Sequence, residues 1–260
     1  MKNLRKKYIL LTQCISEFLG TGLIIFISST CAASSKLTNS LTSSWEISCI
    51  LGIGTCIAIY ASLFISGAHL NPIVTLVFFL LFNFNQKKVI PYIIFQILGS
   101  FLASSIVYKL YYNVLIQFEC QQKILRGSIE SVSSASIFSF FPNKNVSIVK
   151  IFILEFIATF IFMSIIISIR KNENFFYFKN ILTPIFIGML VCIINIIISP
   201  WTSFTLNPAH DIGSRIFICL LGWGKIAFTG GISMSYFIIP ILGTILGSIA
   251  SVYFYKLYKN

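Results

Sequence analysis

His69-Leu70-Asn71-Pro72-Ile73 and Thr205-Leu206-Asn207-Pro208-Ala209 are two copies of one short pattern in a chain of 260 residues. Each Asn-Pro opens an apolar run, residues 72–84 and 208–221, that is only about half of the roughly 20 residues needed to cross a bilayer. Proline suits the first turn of a helix and the preceding Asn caps it. A half-length helix at membrane depth reads as re-entrant, and the irregular backbone leading into it is tolerated only where it lines a cavity or is buried in protein.

Around these two copies, six apolar runs are long enough to span: residues 9–33, 47–65, 89–112, 149–169, 181–198 and 236–255. Three precede the midpoint and three follow it. Glu17-Phe18-Leu19-Gly20-Thr21 in the first run pairs with Glu155-Phe156-Ile157-Ala158-Thr159 in the fourth, and the interval from Glu to Asn is 54 residues in one half and 52 in the other. With an odd number of spans per half, the second copy enters the membrane from the opposite face, so the repeat is inverted. The predicted fold is all-α and polytopic, with six transmembrane helices and two re-entrant half-helices. It forms one domain, 1–260, in which repeats at about 9–112 and 149–255 are joined by a Ser-rich extracellular loop at about 113–148, read as a connector.

Composition supports this. The chain is 57% hydrophobic and 10% charged with a mean hydropathy of +0.90, whereas a soluble domain carries about a quarter charged residues. A separate soluble catalytic or nucleic-acid-binding domain has no room. The net charge of +12 would suggest nucleic acid in a soluble protein; here the basic residues flank spans and set orientation. Lys2, Arg5, Lys6, Lys7, Lys87, Lys88, Arg170, Lys171, Lys179, Lys256 and Lys259 fall on one side, predicting a multi-pass protein of the cell inner membrane with both termini cytoplasmic. Seven cysteines without a CxxC pair read as small buried hydrophobes. Neither a metal nor a cofactor is expected.

Two opposed half-helix N-termini would present positive dipole ends and unpaired N–H groups to one point, with the amides of Asn71 and Asn207 beside them as donors. A neutral hydroxyl-bearing solute can accept from both, while a cation meets two positive ends. Glu17 and Glu155 are costly at membrane depth. Their matched positions favour support of the segment before each half-helix, with proton handling as the alternative. With two histidines and no Ser/His/Asp or metal-ligand cluster, an intramembrane enzyme is disfavoured; the competing class is a proton-coupled secondary transporter.

Ser66-Gly67-Ala68-His69-Leu70-Asn71-Pro72 and Phe204-Thr205-Leu206-Asn207-Pro208-Ala209, together with the paired Glu residues, resemble the major intrinsic protein family, on its aquaglyceroporin branch. Trp45-Glu46-Ile47-Ser48, Arg126-Gly127-Ser128 and Gly222-Trp223-Gly224 are similar to it too. The resemblance implies a passive channel for glycerol and small neutral polyols, with water and urea as further solutes, in a homotetramer embedded in lipid. It implies pore-facing backbone carbonyls at Gly67, Ala68, His69, Ser203, Phe204 and Thr205. Glycerol-type residues would stand at Tyr111, Asp211, Arg215, Pro240 and Ile241, and an ion pair is expected between Asp211 and Arg215, one helical turn apart. The selectivity filter would be Leu51, Asn195, Phe204 and His210. Three departures stand out: Ile73 replaces the family's alanine, Leu51 its tryptophan, and His210 its arginine. Loss of a fixed cation there predicts a wider, less polarised opening.

Overall fold

The computed structural model describes residues 2–141, 145–171, 179–202, 205–232 and 235–259. Among them, six helices are long and apolar enough to cross a membrane: α1 (Lys2–Thr38), α2 (Ser44–Ser66), α4 (Gln86–Gln121), α6 (Ile148–Lys171), α7 (Lys179–Ile198) and α10 (Ile238–Lys259). Two short helices follow the Asn-Pro pairs, α3 (Pro72–Leu81) and α8 (Pro208–Ile218). At 1.5 Å per residue, each reaches about half of a roughly 30 Å hydrocarbon core. Six crossings return the C-terminus to the side of the N-terminus.

Local chemistry fixes where the helices stop and start. Ser43 and Glu46 form a capping box at the start of α2. At its end Gly67 takes φ 92° while its N–H bonds Leu63 O at 3.1 Å, a left-handed stop that glycine adopts without steric cost. Pro72 and Pro208 then occupy the first turns of α3 and α8.

Packing follows the inverted repeat. α1 packs on α4 and α2, α6 on α10 and α7, and α2 against α7 across the halves; each half-helix docks on the opposite repeat, α8 on α4 and α3 on α10. Small residues set the approach. A Cβ on Gly99 would collide with the Phe18 carbonyl, and one on Gly247 with the carbonyl of Phe156; Phe18 and Phe156 are equivalent residues, each following its repeat's Glu. Such contacts drive helix association where lipid offers no hydrophobic gain. Facing outward, Val149, Ile153, Ile157, Ile161 and Ile165 form an exposed stripe along α6, the four-residue spacing of one helical face. A contiguous apolar surface of this size faces lipid or another subunit.

The connector differs from its sequence reading. α4 continues to Gln121 rather than stopping near residue 112, and the loop folds back as a short 3-10 turn, Ile129–Ser131, and α5 (Val132–Ala135). Ala135, Ile137, Phe138 and Phe141 are buried in a cluster with Phe217 and Trp223. Arg126 lies 4.0 Å from the Trp223 ring centroid, pairs with Glu119 at 3.0 Å and donates to Leu221 O, so two segments about a hundred residues apart in sequence lock together. Beyond them α9 (Ile226–Thr229) closes the same corner. The cysteines also depart from expectation: Cys14 and Cys31 are buried, whereas Cys120 is exposed and four are half-buried.

Candidate functional site

The two Asn-Pro turns are built alike. Asn71 Oδ1 accepts from Ile73 N–H at 2.9 Å and Asn207 Oδ1 from Ala209 N–H at 3.0 Å, capping α3 and α8. The side-chain nitrogens cross over: Asn71 Nδ2 donates to Leu206 O at 3.0 Å and Asn207 Nδ2 to Leu70 O at 2.9 Å. An amide nitrogen carries two hydrogens, so each Asn retains one donor beyond this cross-link. Ile73 is buried among α6 side chains including Ala158, Phe162 and Met163, which accommodates its extra bulk behind the turn.

The segments before the half-helices are strained in the same way. Ala68, Leu70 and Leu206 have φ of 52°, 52° and 40°, left-handed backbone that costs a non-glycine residue about 1–3 kcal/mol and persists only where its surroundings over-determine it. The two carboxylates supply that determination. Glu17 accepts His69 N–H at 3.0 Å and Leu70 N–H at 2.6 Å; Glu155 accepts Thr205 N–H at 2.8 Å and Leu206 N–H at 3.4 Å. The outer partners break the symmetry: Gln96 donates to Glu17 at 2.8 Å, whereas Thr202 serves Glu155 at 3.3 Å.

A cavity of about 160 Å³ runs between the halves past the crossed amides. Gly67, Ala68, His69, Leu70, Thr205 and Leu206, from the segments before the half-helices, line it together with the apolar Ile24, Ile59, Val74, Phe162, Ile187 and Val191. Neither Glu17 nor Glu155 lines it, and both are fully buried. Leu51, Asn195 and His210, read separately from three helices, converge on this cavity. Ser203 and Phe204 lie outside the described residues. The His69 ring sits 4.5 Å from Phe78 and 4.6 Å from Phe84, and Nδ1 lies 3.2 Å from Thr75 Oγ1.

The described aromatic at the His210 end comes from the connector. Phe140 lines the cavity and meets the His210 ring edge-on at 4.6 Å between centroids. Its position is fixed from behind: Arg215 donates to the carbonyls of Phe140 and Ala227 and pairs with Asp211 at 2.8 Å, while Ser139 Oγ donates to Asp211 Oδ1 at 2.6 Å. Asp211 and Arg215 are fully buried and do not line the cavity. Tyr111, bonded to Ser34 at 2.7 Å, and Pro240 and Ile241, in the first turn of α10, are likewise away from it. Sequence reasoning missed Phe140 because the loop offers no periodic pattern; it also missed Gln96, Thr202 and Arg170, although a buried Gln and a span-terminal Arg were visible signals.

The model of the major intrinsic protein family matches residues 4–255. The chain belongs to that family. Among similar proteins, the glycerol uptake facilitator protein of Buchnera aphidicola subsp. Acyrthosiphon pisum is 46% identical over 95% of this chain and 94% of its own length, and that of Escherichia coli K12 is 43% identical over 94% and 86%. The X-ray structure of the aquaglyceroporin from Plasmodium falciparum superposes with a TM-score of 0.79 at 28% identity, covering 95% of both chains. The crossed half-helices and paired carboxylates therefore belong to a major intrinsic protein, a multi-pass membrane channel and not an enzyme.

Proposed function

We propose that the chain conducts glycerol and similar small neutral polyols, with water and urea, passively down their gradients. The mixed polar and apolar lining of the cavity carries this reading. A polyol has a hydrocarbon edge and a row of hydroxyls. Ile24, Val74, Phe162 and Val191 in the lining suit the first; the backbone carbonyls of Gly67, Ala68, His69 and Thr205, pore-facing by family resemblance, with the spare Asn71 and Asn207 donors suit the second. A cation finds no compensating charge at the crossed amides, where both helix dipoles are positive. The carbonyls of Ser203 and Phe204 extend the same ladder by family resemblance, and Leu51, Asn195, Phe204 and His210 form the outer filter.

Proton coupling through Glu17 or Glu155 is disfavoured because each carboxylate is held by two backbone amides and a side-chain donor and does not line the cavity. The two relatives named above are glycerol uptake facilitator proteins. We assign the whole chain to one channel domain, a homotetramer with a pore in each subunit, the apolar stripe on α6 supplying contact surface. The excess of Lys and Arg at the termini and between α6 and α7 supports a plasma-membrane orientation with both termini cytoplasmic.

Vesicles reconstituted with the protein and mixed with hypertonic glycerol test the reading by light scattering. Rapid reswelling that is linear in glycerol concentration and indifferent to proton or sodium gradients is expected; saturable or gradient-dependent entry refutes it.

A further inference from the structure

We infer that Ser28 and Thr55 form a hydroxyl-binding station inside the pore, one helical turn from the crossed amides towards Leu51, that favours polyols with a hydroxyl on every carbon; the inference rests on the channel reading above. Both residues line the cavity, Ser28 from α1 and Thr55 from α2. Their common level follows from the packing of the residues beside them: a Cβ on Gly54 would lie 2.5 Å from Ile27 Cδ1. One turn further along the pore, Ile24 and Ile59 pack with Leu70, whose carbonyl receives the Asn207 amide. Leu51, Thr55 and Ile59 share one face of α2, spaced by four, and all three line the cavity.

A hydroxyl inside a helix commonly bonds back to the carbonyl one turn earlier, as Ser48 does to Ser44 O at 2.7 Å and Ser66 to Ser62 O at 3.3 Å in α2. Ser28 and Thr55 do not, and among the described residues neither hydroxyl has a protein partner, although Thr55 is only 8% exposed. The hydroxyls of Ser29 and Thr30, next along α1, are also unpaired but are sealed in the packing and do not line the cavity. Two open hydroxyls at one level are therefore left for whatever passes. Each has one donor and two acceptor lone pairs, so the pair can meet a solute hydroxyl in either sense. A hydroxyl that has shed its water is costly unless it is paired, and aliphatic side chains at this level would leave it bare. A carbon without a hydroxyl gains nothing from the station. Its ligand class is the short, fully hydroxylated polyol, ahead of the corresponding deoxy compound.

The test uses vesicles holding the full chain and compares reswelling in glycerol with reswelling in propane-1,2-diol, which has the same three carbons and one hydroxyl fewer. Rates are taken above those of empty vesicles, and their ratio cancels the amount of channel in each preparation. Ser28→Ala and Thr55→Val delete the hydroxyls at nearly constant shape; because neither hydroxyl bonds the protein, no buried partner is orphaned. The glycerol-to-propanediol ratio should fall about threefold in each single variant and about tenfold in the double variant. Thr55→Ser keeps a hydroxyl and should hold the ratio within about 1.5-fold of wild type. An unchanged or raised ratio in the double variant overturns the inference, as does a Thr55→Ser ratio as low as that of Thr55→Val. Equal slowing of both solutes leaves the ratio unmoved and overturns it too, marking a steric or folding effect. Wild-type vesicles that fail to reswell in glycerol refute the channel reading, and the station falls with it; wild-type reswelling with an unmoved double-variant ratio refutes the station alone.

Discussion

Asn71 and Asn207 are cross-bonded: each donates its side-chain amide to the carbonyl of the residue preceding the other, at 3.0 and 2.9 Å. The bonds join the two inverted repeats at the point where α3 and α8 meet, so neither turn is built independently. Replacing either Asn by Asp removes the donor and sets a carboxylate oxygen against a carbonyl. Each single variant should lose about 1–3 kcal/mol and most glycerol flux. Because the residues share one small network, the double variant should cost less than the sum of the singles. Thermal aggregation in detergent and vesicle reswelling measure both; strict additivity would show two independent amides.

Glu17 and Glu155 each hold two buried amides of a left-handed segment. Gln retains an acceptor and Ala does not, and each orphaned donor costs about 1–3 kcal/mol. Melting temperature and yield of assembled protein should therefore fall in the order wild type, Gln, Ala for both residues. An Ala variant as stable as wild type would remove the supporting role.

The Asp211–Arg215 pair holds the Phe140 carbonyl and Ser139 at the His210 end of the cavity without lining it. Arg215→Met leaves a buried carboxylate unpaired, an expected loss of about 3–5 kcal/mol. It should also release Phe140 and broaden the solute range towards longer polyols. Phe140→Ala should broaden the range similarly with little stability cost beyond its own lost packing. A reswelling series over glycerol, erythritol and ribitol distinguishes them, and an unaltered series in both variants would detach the loop from selectivity.

His210 should set the width of the same opening. Arginine there is longer and carries a fixed fork of donors, so His210→Arg should slow ribitol more than glycerol. A parallel change for the two solutes would place the limiting constriction elsewhere.

Cys49 and Cys192 bring α2 and α7 together, with their sulfurs 3.7 Å apart. Nearby, the helices approach so closely that a Cβ on Gly52 would lie 2.6 Å from Gly188 O. A mild thiol oxidant should cross-link this pair within one chain, visible as a reducible mobility shift that Cys49→Ser abolishes. Failure to cross-link would argue against the α2–α7 contact.

The inverted repeat, the two half-helices and the asparagine pair were legible in the linear pattern. Their signals are local: proline at a first helical turn, runs of half length, and a Glu repeated at nearly the same distance before each Asn. Leu51, Asn195 and His210 could be proposed only through family resemblance, since nothing in their own neighbourhoods marks a constriction. Tertiary structure alone decided the remainder. Phe140 reaches the cavity because Arg215, about 75 residues later, captures its backbone carbonyl. Arg170 reads in sequence as one more basic residue at a span end until α6 packs so that its guanidinium lies over Phe78. Hydrophobic length and helix-terminal chemistry are properties of short segments and can be read along the chain. A pore wall is assembled from side chains far apart in sequence, and the packing that brings them together follows no periodicity.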